Sequence, residues 1–317
     1  MNITPIVEVA AGVIIRPDGS FLLTCRPEGK PYEGYWEFPG GKIEDYEAPL
    51  HALDRELYEE LGIQIIKSDP WITRVFTYSH ATVRLHFYRI TEWHGEPFGR
   101  ENQQLSWQLP DAVSVSPLLP ANTPILNALM LPPVYAITQA SQIGIETSLQ
   151  QIRQALTHGL RLIQIREKSM QAGFVQDFTE QVTALAHDCK AQVLINSDMT
   201  FEQPIRYDGI HLTSAELMSR STRPQSELGL CGASCHNAEE LYHAESLALD
   251  FVVLGPVLPT LSHADIAPFG WRKFAALIQN YSLPVYALGG MSLEDRATAW
   301  EMGAHGIAIM RGITEFQ

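Results

Sequence analysis

The sequence predicts an α/β protein of two domains, the first a set of strands around one long helix and the second a (β/α)8 barrel. Three observations carry this. Leu50, Leu53, Leu57 and Leu61 recur at spacings of three and four, the apolar stripe of a core-facing helix. Leu131-Pro132-Pro133 interrupts the chain with two prolines that cannot continue a helix. Beyond it, eight short strand-like runs alternate for the most part with helical stretches. At 317 residues the chain is comfortable for two domains, each large enough for its own core.

In order, Ile6–Arg16 is rich in β-branched residues and ends at the turn signal Pro17-Asp18-Gly19, with Phe21–Arg26 as its hairpin partner. Trp36–Lys42 closes on Pro39-Gly40-Gly41, expected to be a flexible bend. The striped helix follows. Trp71–Tyr78 and Ala81–Trp93 read as strands, and Asn122–Leu131 as a closing helix. After the prolines, strands are expected at Val134–Thr138, Arg161–Arg166, Gln192–Asn196, Gly209–Thr213, Leu228–Ser234, Phe251–Val257, Val285–Gly289 and Gly306–Met310. Helices are expected at Ser148–His158, Phe174–Lys190 and Leu293–Met302. In such a barrel the site lies at the C-terminal ends of the strands.

Hydrophobic content of 45% and charged content of 18% describe a soluble globular chain, and no apolar run approaches the roughly 18 residues that span a bilayer. Met1–Pro5 carries no basic leader, so a cytoplasmic location is expected. A net charge of -14 argues against a nucleic-acid polymer as partner and leaves a small phosphorylated substrate open, since bound metal reverses a local field. Cys25, Cys189, Cys231 and Cys235 show no paired spacing, as reduced thiols do not. Cys231, Cys235 and His236 are not expected to bind metal, because they fall at a strand end with no fourth ligand.

The striped helix also carries Glu56, Glu59 and Glu60, at i, i+3 and i+4 on one flank. Such crowding costs stability unless a cation sits there, and an all-oxygen set suits a hard ion such as Mg²⁺ or Mn²⁺. Read on from Gly41, the run fits Gly-x5-Glu-x7-Arg-Glu-Leu-x-Glu-Glu-x-Gly-Ile, with Glu47, Arg55, Glu56, Leu57, Glu59, Glu60, Gly62 and Ile63 at the fixed places. This resembles the Nudix box. The resemblance implies an α/β/α sandwich with a mixed sheet and a hydrolase of nucleoside diphosphates linked to another group.

Phe38-Pro39-Gly40-Gly41-Lys42, Gly95-Glu96-Pro97-Phe98-Gly99-Arg100-Glu101 and Pro120-Ala121-Asn122 resemble in order and spacing the MutT type, the 8-oxo-dGTP diphosphatases, over most of residues 1–131. That likeness implies metal binding by the Gly40 carbonyl with Glu56, Glu59, Glu60 and Glu101. It also implies a nucleotide pocket lined by Arg26, Glu37, Phe38 and Asn122. Water attacks a phosphorus shielded by negative oxygens, so metal neutralises charge and a carboxylate takes the proton. Glu56 is the candidate base, while Arg55 and Glu47 are expected to pair and orient loop and helix. The Asn122 amide matches the O6 acceptor and N7 hydrogen of an oxidised guanine, or else caps the helix that follows.

Residues 133–317 carry a second resemblance. Gln164-Ile165-Arg166-Glu167-Lys168, Ile195-Asn196, His211-Leu212, Ser234-Cys235-His236-Asn237, Gly255–Thr260 and Leu288-Gly289-Gly290 look like thiamine phosphate synthase and its TenI-like relatives. By that likeness Gln164, Arg166 and Lys168 hold phosphates beside Asn196, and Ser234, Thr260, Gly289 and Gly290 line phosphate sites for a thiamine-pathway ligand. The chain departs where the synthases place aspartates for Mg²⁺, with Ser197 and the adjacent Asp198 at one position and Glu216 at the other. His263 stands in place of a lysine, and Met310-Arg311 replaces small and hydroxyl residues. Three readings follow: a nucleotide-pool hydrolase with a non-catalytic barrel, a bifunctional enzyme, or a hydrolase redirected to a thiamine-related pyrophosphate by a binding barrel.

Overall fold

The structure, a computed structural model, describes residues 6–224, 229–260 and 267–316. It divides into two compact units, Met1–Met130 with Gln279–Ser282, and Leu131–Ile278 with Leu283–Gln317.

The first unit opens with β1 (Val7–Ile14), β2 (Phe21–Cys25), β3 (Trp36–Glu37) and β4 (Gly40–Lys42). Helix α1 (Pro49–Leu61) follows, then β5 (Gln64–Thr77), β6 (Thr82–His94), β7 (Leu105–Gln108) and α2 (Thr123–Leu129). One sheet runs β4-β1-β6-β5, with β1 and β6 parallel and the other pairs antiparallel; a second runs β3-β2-β7. Alternation along β1 makes the layers. Ala10 and Ile14 join Leu53, Leu57 and Leu61 of α1 in one core, and Ala11 and Val13 join Ile125 and Leu126 of α2 in the other. Helix α1 starts on Pro49 and stops at Gly62, whose φ of 71° lets its N–H reach the Tyr58 carbonyl at 3.1 Å.

Four expectations change. The Phe21 strand is no hairpin partner of β1, because β4 and β6 occupy both edges of β1; beyond the single bridge Ile15–Phe21, β2 enters the other sheet. Gly40 and Gly41 form no flexible bend but a short strand in register with Ala11 and Ala10. Leu50 is exposed, since side chains tilt toward a helix N-terminus and one in the first turn projects past the layer beneath, while Ala52 is buried instead. The closing helix begins as a 3-10 turn over Pro120–Asn122.

The second unit is a closed parallel barrel of eight strands among the described residues. They are β8 (Val134–Ile137), β9 (Leu162–Ile165), β10 (Gln192–Asn196), β11 (Gly209–Leu212), β12 (Leu230–Cys235), β13 (Phe251–Leu254), β14 (Val285–Leu288) and β15 (Gly306–Ile309). Tyr135, Phe251 and Tyr286 fill its interior with ring centroids 5.3 to 5.7 Å apart. Between strands lie α3 (Ala140–Ile143), α4 (Ile145–Thr157), α5 (Ala172–Asp188), α6 (Ser214–Ser219), α7 (Ala238–Ser246), α8 (Gly270–Ile278) and α9 (Arg296–Glu301). Helices α3, α6, α7 and α8 lie outside the stretches named above; α3 is a single turn and α6 a turn and a half, too short for a readable stripe. The start of the expected strand at Leu228 and the position of His263 lie outside the described residues.

Candidate functional site

A cavity of about 1090 Å³ opens on the first unit. Glu56 and Glu60, one turn apart on α1, reach it together with Gly40 of β4 and Glu101 from the loop before β7. Arg26, Glu37, Phe38 and Asn122 line the same space. Glu59, Arg55 and Glu47 do not line it.

Arg55 organises the helix flank. Its Nε and Nη2 donate to the two carboxylate oxygens of Glu47 at 3.0 and 2.9 Å, Nη1 donates to Glu56 Oε1 at 2.8 Å, and Nη2 also reaches the Lys42 carbonyl at 3.1 Å. The Arg55 hydrogen bonds hold the Glu47 carboxyl down at about 2. Gly41 makes room for this arrangement, since a Cβ there would overlap the Glu56 carboxyl. Glu59 turns outward with its side chain 60% exposed, no closer than 3.9 Å to Arg55. It is therefore separated from the other predicted metal ligands, because a third helix position 60° or more around the axis from Glu56 and Glu60 meets solvent, roughly as 100° per residue dictates.

The remaining carboxylates surround a cation the chain itself supplies. Lys30 Nζ lies 2.6 Å from Glu101 Oε2, and its charge also acts on Glu60. Burial still pushes the Glu60 carboxyl up to about 7, opposed by Lys30 and reinforced by Glu101, Glu37 and Glu56. With Glu56 drawn to Arg55 and Glu101 to Lys30, no three His, Cys, Asp or Glu among the described residues converge to hold an ion as they stand. The predicted five-member ligand set is thus not assembled. Its donor chemistry nevertheless suits a hard cation: six carboxylates line the space, Glu56, Glu60 and Glu101 among them, and an ammonium already stands against one of these three.

The nucleotide-facing residues divide in the same way. Arg26 spends Nη1 on both oxygens of Glu37, at 2.6 and 2.7 Å, and Nε on the Pro31 carbonyl at 2.6 Å, so its donors are largely engaged internally. Burial pushes the Glu37 carboxyl up and Arg26 opposes it. Phe38 packs between Phe21 and Phe87, at centroid distances of 5.7 and 5.8 Å, and presents only the rest of its ring to the cavity. Asn122 is 4% exposed, makes no cap for α2, and its Nδ2 has no hydrogen-bond partner. Of its two expected roles, capping is the one the geometry removes.

Sequence reasoning missed Lys30 and an aromatic wall of Tyr32, Tyr78 and His80, with Tyr32 to Tyr78 at 5.3 Å and Tyr78 stacked on His80 at 5.6 Å. Burial pushes the Tyr78 hydroxyl up to about 12. These side chains come from two separate loops, so no periodicity announces them; a lone lysine within Gly29–Gly34 was the one readable hint.

In the barrel, a cavity of about 450 Å³ lies at the strand ends. All eight expected residues line it: Gln164, Arg166, Lys168 and Asn196 from the β9 and β10 side, Ser234, Thr260, Gly289 and Gly290 from the other. Beneath them the buried His211 joins Ser234 Oγ through Nε2 at 2.9 Å and the Tyr135 hydroxyl through Nδ1 at 3.3 Å. Desolvation, then the Arg166 charge, press its pKa down to about 3, so this imidazole is neutral. Cys231 and Cys235 are buried in β12, and burial pushes both thiols up, Cys231 to about 11.

A carboxylate-lined sandwich cavity and a basic cavity at the strand ends of a barrel stand on one chain, a fused enzyme with a hydrolase unit. The chain belongs to the family described as thiamine monophosphate synthase, matched over residues 134–313, and to the NUDIX domain family, matched over residues 7–129. It is 39% identical over 125 residues to an 8-oxo-dGTP diphosphatase of Haemophilus influenzae, covering 39% of this chain and 92% of that one. It is 39% identical over 124 residues to a CTP pyrophosphohydrolase of Escherichia coli (strain K12), covering 39% and 91%. The barrel is 31% identical over 196 residues to a thiamine-phosphate synthase of Streptococcus suis, covering 60% and 84%. No helix of the described residues is long and apolar enough to cross a membrane.

Proposed function

We propose that the first unit hydrolyses 8-oxo-dGTP to 8-oxo-dGMP and pyrophosphate in a divalent-cation-dependent reaction, removing an oxidised nucleotide from the pool. The observation that carries this reading is the orphaned Nδ2 of Asn122 on the cavity wall. A buried amide donor without a partner costs on the order of 1–3 kcal/mol, and the O6 of a purine would satisfy it. The Oδ1 of the same amide then accepts the N7 hydrogen that oxidised guanine has and guanine lacks, so dGTP would set acceptor against acceptor.

Glu56, Glu60, Glu101 and the Gly40 carbonyl would hold Mg²⁺ or Mn²⁺, which would neutralise charge at the phosphate under attack. Arg55 fixes the Glu56 carboxylate through Oε1, and Glu56 accepts the proton of the attacking water. The aromatic wall beside Asn122 packs against the base. Cytosine also offers a donor next to an acceptor, and the two hydrolase relatives are equally similar to this chain, so the decisive comparison includes CTP.

The test follows hydrolysis of 8-oxo-dGTP, dGTP and CTP by the purified chain with Mg²⁺. The expected result is a preference for the oxidised nucleotide of about 100-fold or more over dGTP, collapsing in Asn122→Ala, with turnover lost in Glu56→Gln. Equal use of dGTP, or a preference for CTP, would overturn the substrate assignment; full activity in Glu56→Gln would overturn the base.

A further inference from the structure

The lining of the barrel cavity contains Arg166, Lys168 and Arg311 and, among the described residues, not one aspartate or glutamate. The residues that stand where the synthases place Mg²⁺ ligands are all committed elsewhere. Ser197 Oγ accepts the Thr213 N–H at 3.0 Å and so ties the end of β10 to that of β11. Asp198 Oδ2 pairs with Lys168 at 2.6 Å, and Glu216 Oε1 pairs with Arg220 at 2.6 Å. Among the described residues, a divalent cation entering this space would meet three cationic side chains and no carboxylate of the lining. The residues present do not fit a metal.

They do fit an anion. Asp198 offsets the charge of Lys168, but neither Arg166 nor Arg311 has a carboxylate within ion-pair distance among the described residues. Consecutive glycines at the end of β14 keep one wall free of side chains: Gly289 and Gly290 have φ of 104° and 66°, and a Cβ would press on Pro256 at 2.8 Å or on the Pro259 carbonyl at 2.6 Å. Ile137, Val253 and Met291 line the same cavity and suit an uncharged, apolar body. Arg311 is exposed, and with no ion-paired carboxylate among the described residues its guanidinium is available to an anion.

We propose that the barrel binds the phosphate monoester of a small, largely apolar molecule without any divalent cation, and that the guanidinium of Arg311, with that of Arg166, supplies the counter-charge a metal would otherwise provide. The fork of a guanidinium matches two phosphate oxygens at once and holds its charge at every accessible pH. This inference does not rest on the hydrolase reading of the first unit, since it concerns other residues and another cavity.

The experiment is calorimetric titration of the full chain with phenyl phosphate as probe, a phosphate monoester with an uncharged apolar body, once with EDTA and once with excess Mg²⁺. The expected outcome is saturable binding of equal affinity, within about twofold, in both conditions. Arg311→Ala should weaken it by about tenfold or more, and Arg311→Lys by less, because a lysine keeps the charge and loses the fork. Thermal unfolding of both variants should match the parent, which separates lost binding from lost fold. Binding that appears or tightens about tenfold only with Mg²⁺, binding unchanged in Arg311→Ala, or no saturable binding in either condition would each overturn the proposal.

Discussion

Lys30 Nζ stands 2.6 Å from Glu101 Oε2 across the wall of the first unit's cavity, joining residues 71 positions apart. Both side chains are nearly half exposed, so the pair adds little to stability, of the order of 1 kcal/mol or less. Its interest lies in what it competes with. An ammonium against a carboxylate opposes entry of a divalent cation at the same oxygens, and Glu101 in turn raises the lysine's pKa, keeping it charged.

From that competition, Lys30→Ala should tighten Mn²⁺ binding by the nucleotide-free protein severalfold, as read by paramagnetic relaxation or calorimetry. A weaker Mn²⁺ affinity in the variant would show that the lysine helps to assemble the site.

Glu60 predicts a pH dependence in EDTA. Its carboxyl titrates at about 7 in the folded chain against 4.5 when unfolded, so the folded state holds the extra proton between those values. Stability from this group is therefore greatest below 4.5, declines as the pH rises through the window, and reaches its full penalty above about 7, at most about 3 kcal/mol. Glu60→Gln should remove that decline, so that its advantage over the parent grows from pH 5 to pH 8 in denaturant unfolding of the first unit. An advantage that is constant with pH would contradict the buried environment assigned to Glu60.

Gly41→Ala isolates the placement of Glu56. The added methyl overlaps the Glu56 carboxyl, which is the free end of a flexible side chain and can swing aside. Unfolding should shift by less than about 1 kcal/mol while turnover falls by about 100-fold or more. Retained turnover would mean that the carboxylate need not occupy its place above β4.

Much of this architecture was legible locally. The stripe Leu53–Leu57–Leu61 and the strand runs around the barrel depend on short-range periodicity and turn chemistry. The eight barrel residues came instead from the resemblance to the thiamine phosphate synthases, and the strand ends of the closed barrel bring them to one cavity. What misled was pairing at longer range. The turn after β1 looked like a hairpin, yet the edges of β1 were claimed by strands from elsewhere, and Glu59 shared a helix flank with Glu56 without sharing its cavity.

By itself, then, the sequence determined the two-unit order, the core-facing helix and the carriers of charge, because side-chain period and proline or glycine punctuation act within a few residues. Only the tertiary structure decided which charges meet. Lys30 reaches Glu101, Asp198 and Glu216 turn to Lys168 and Arg220, and Arg311 lines a cavity without carboxylates among the described residues. Ion pairing depends on the path of the chain and on rotamers set by packing, and neither is encoded in spacing along the sequence.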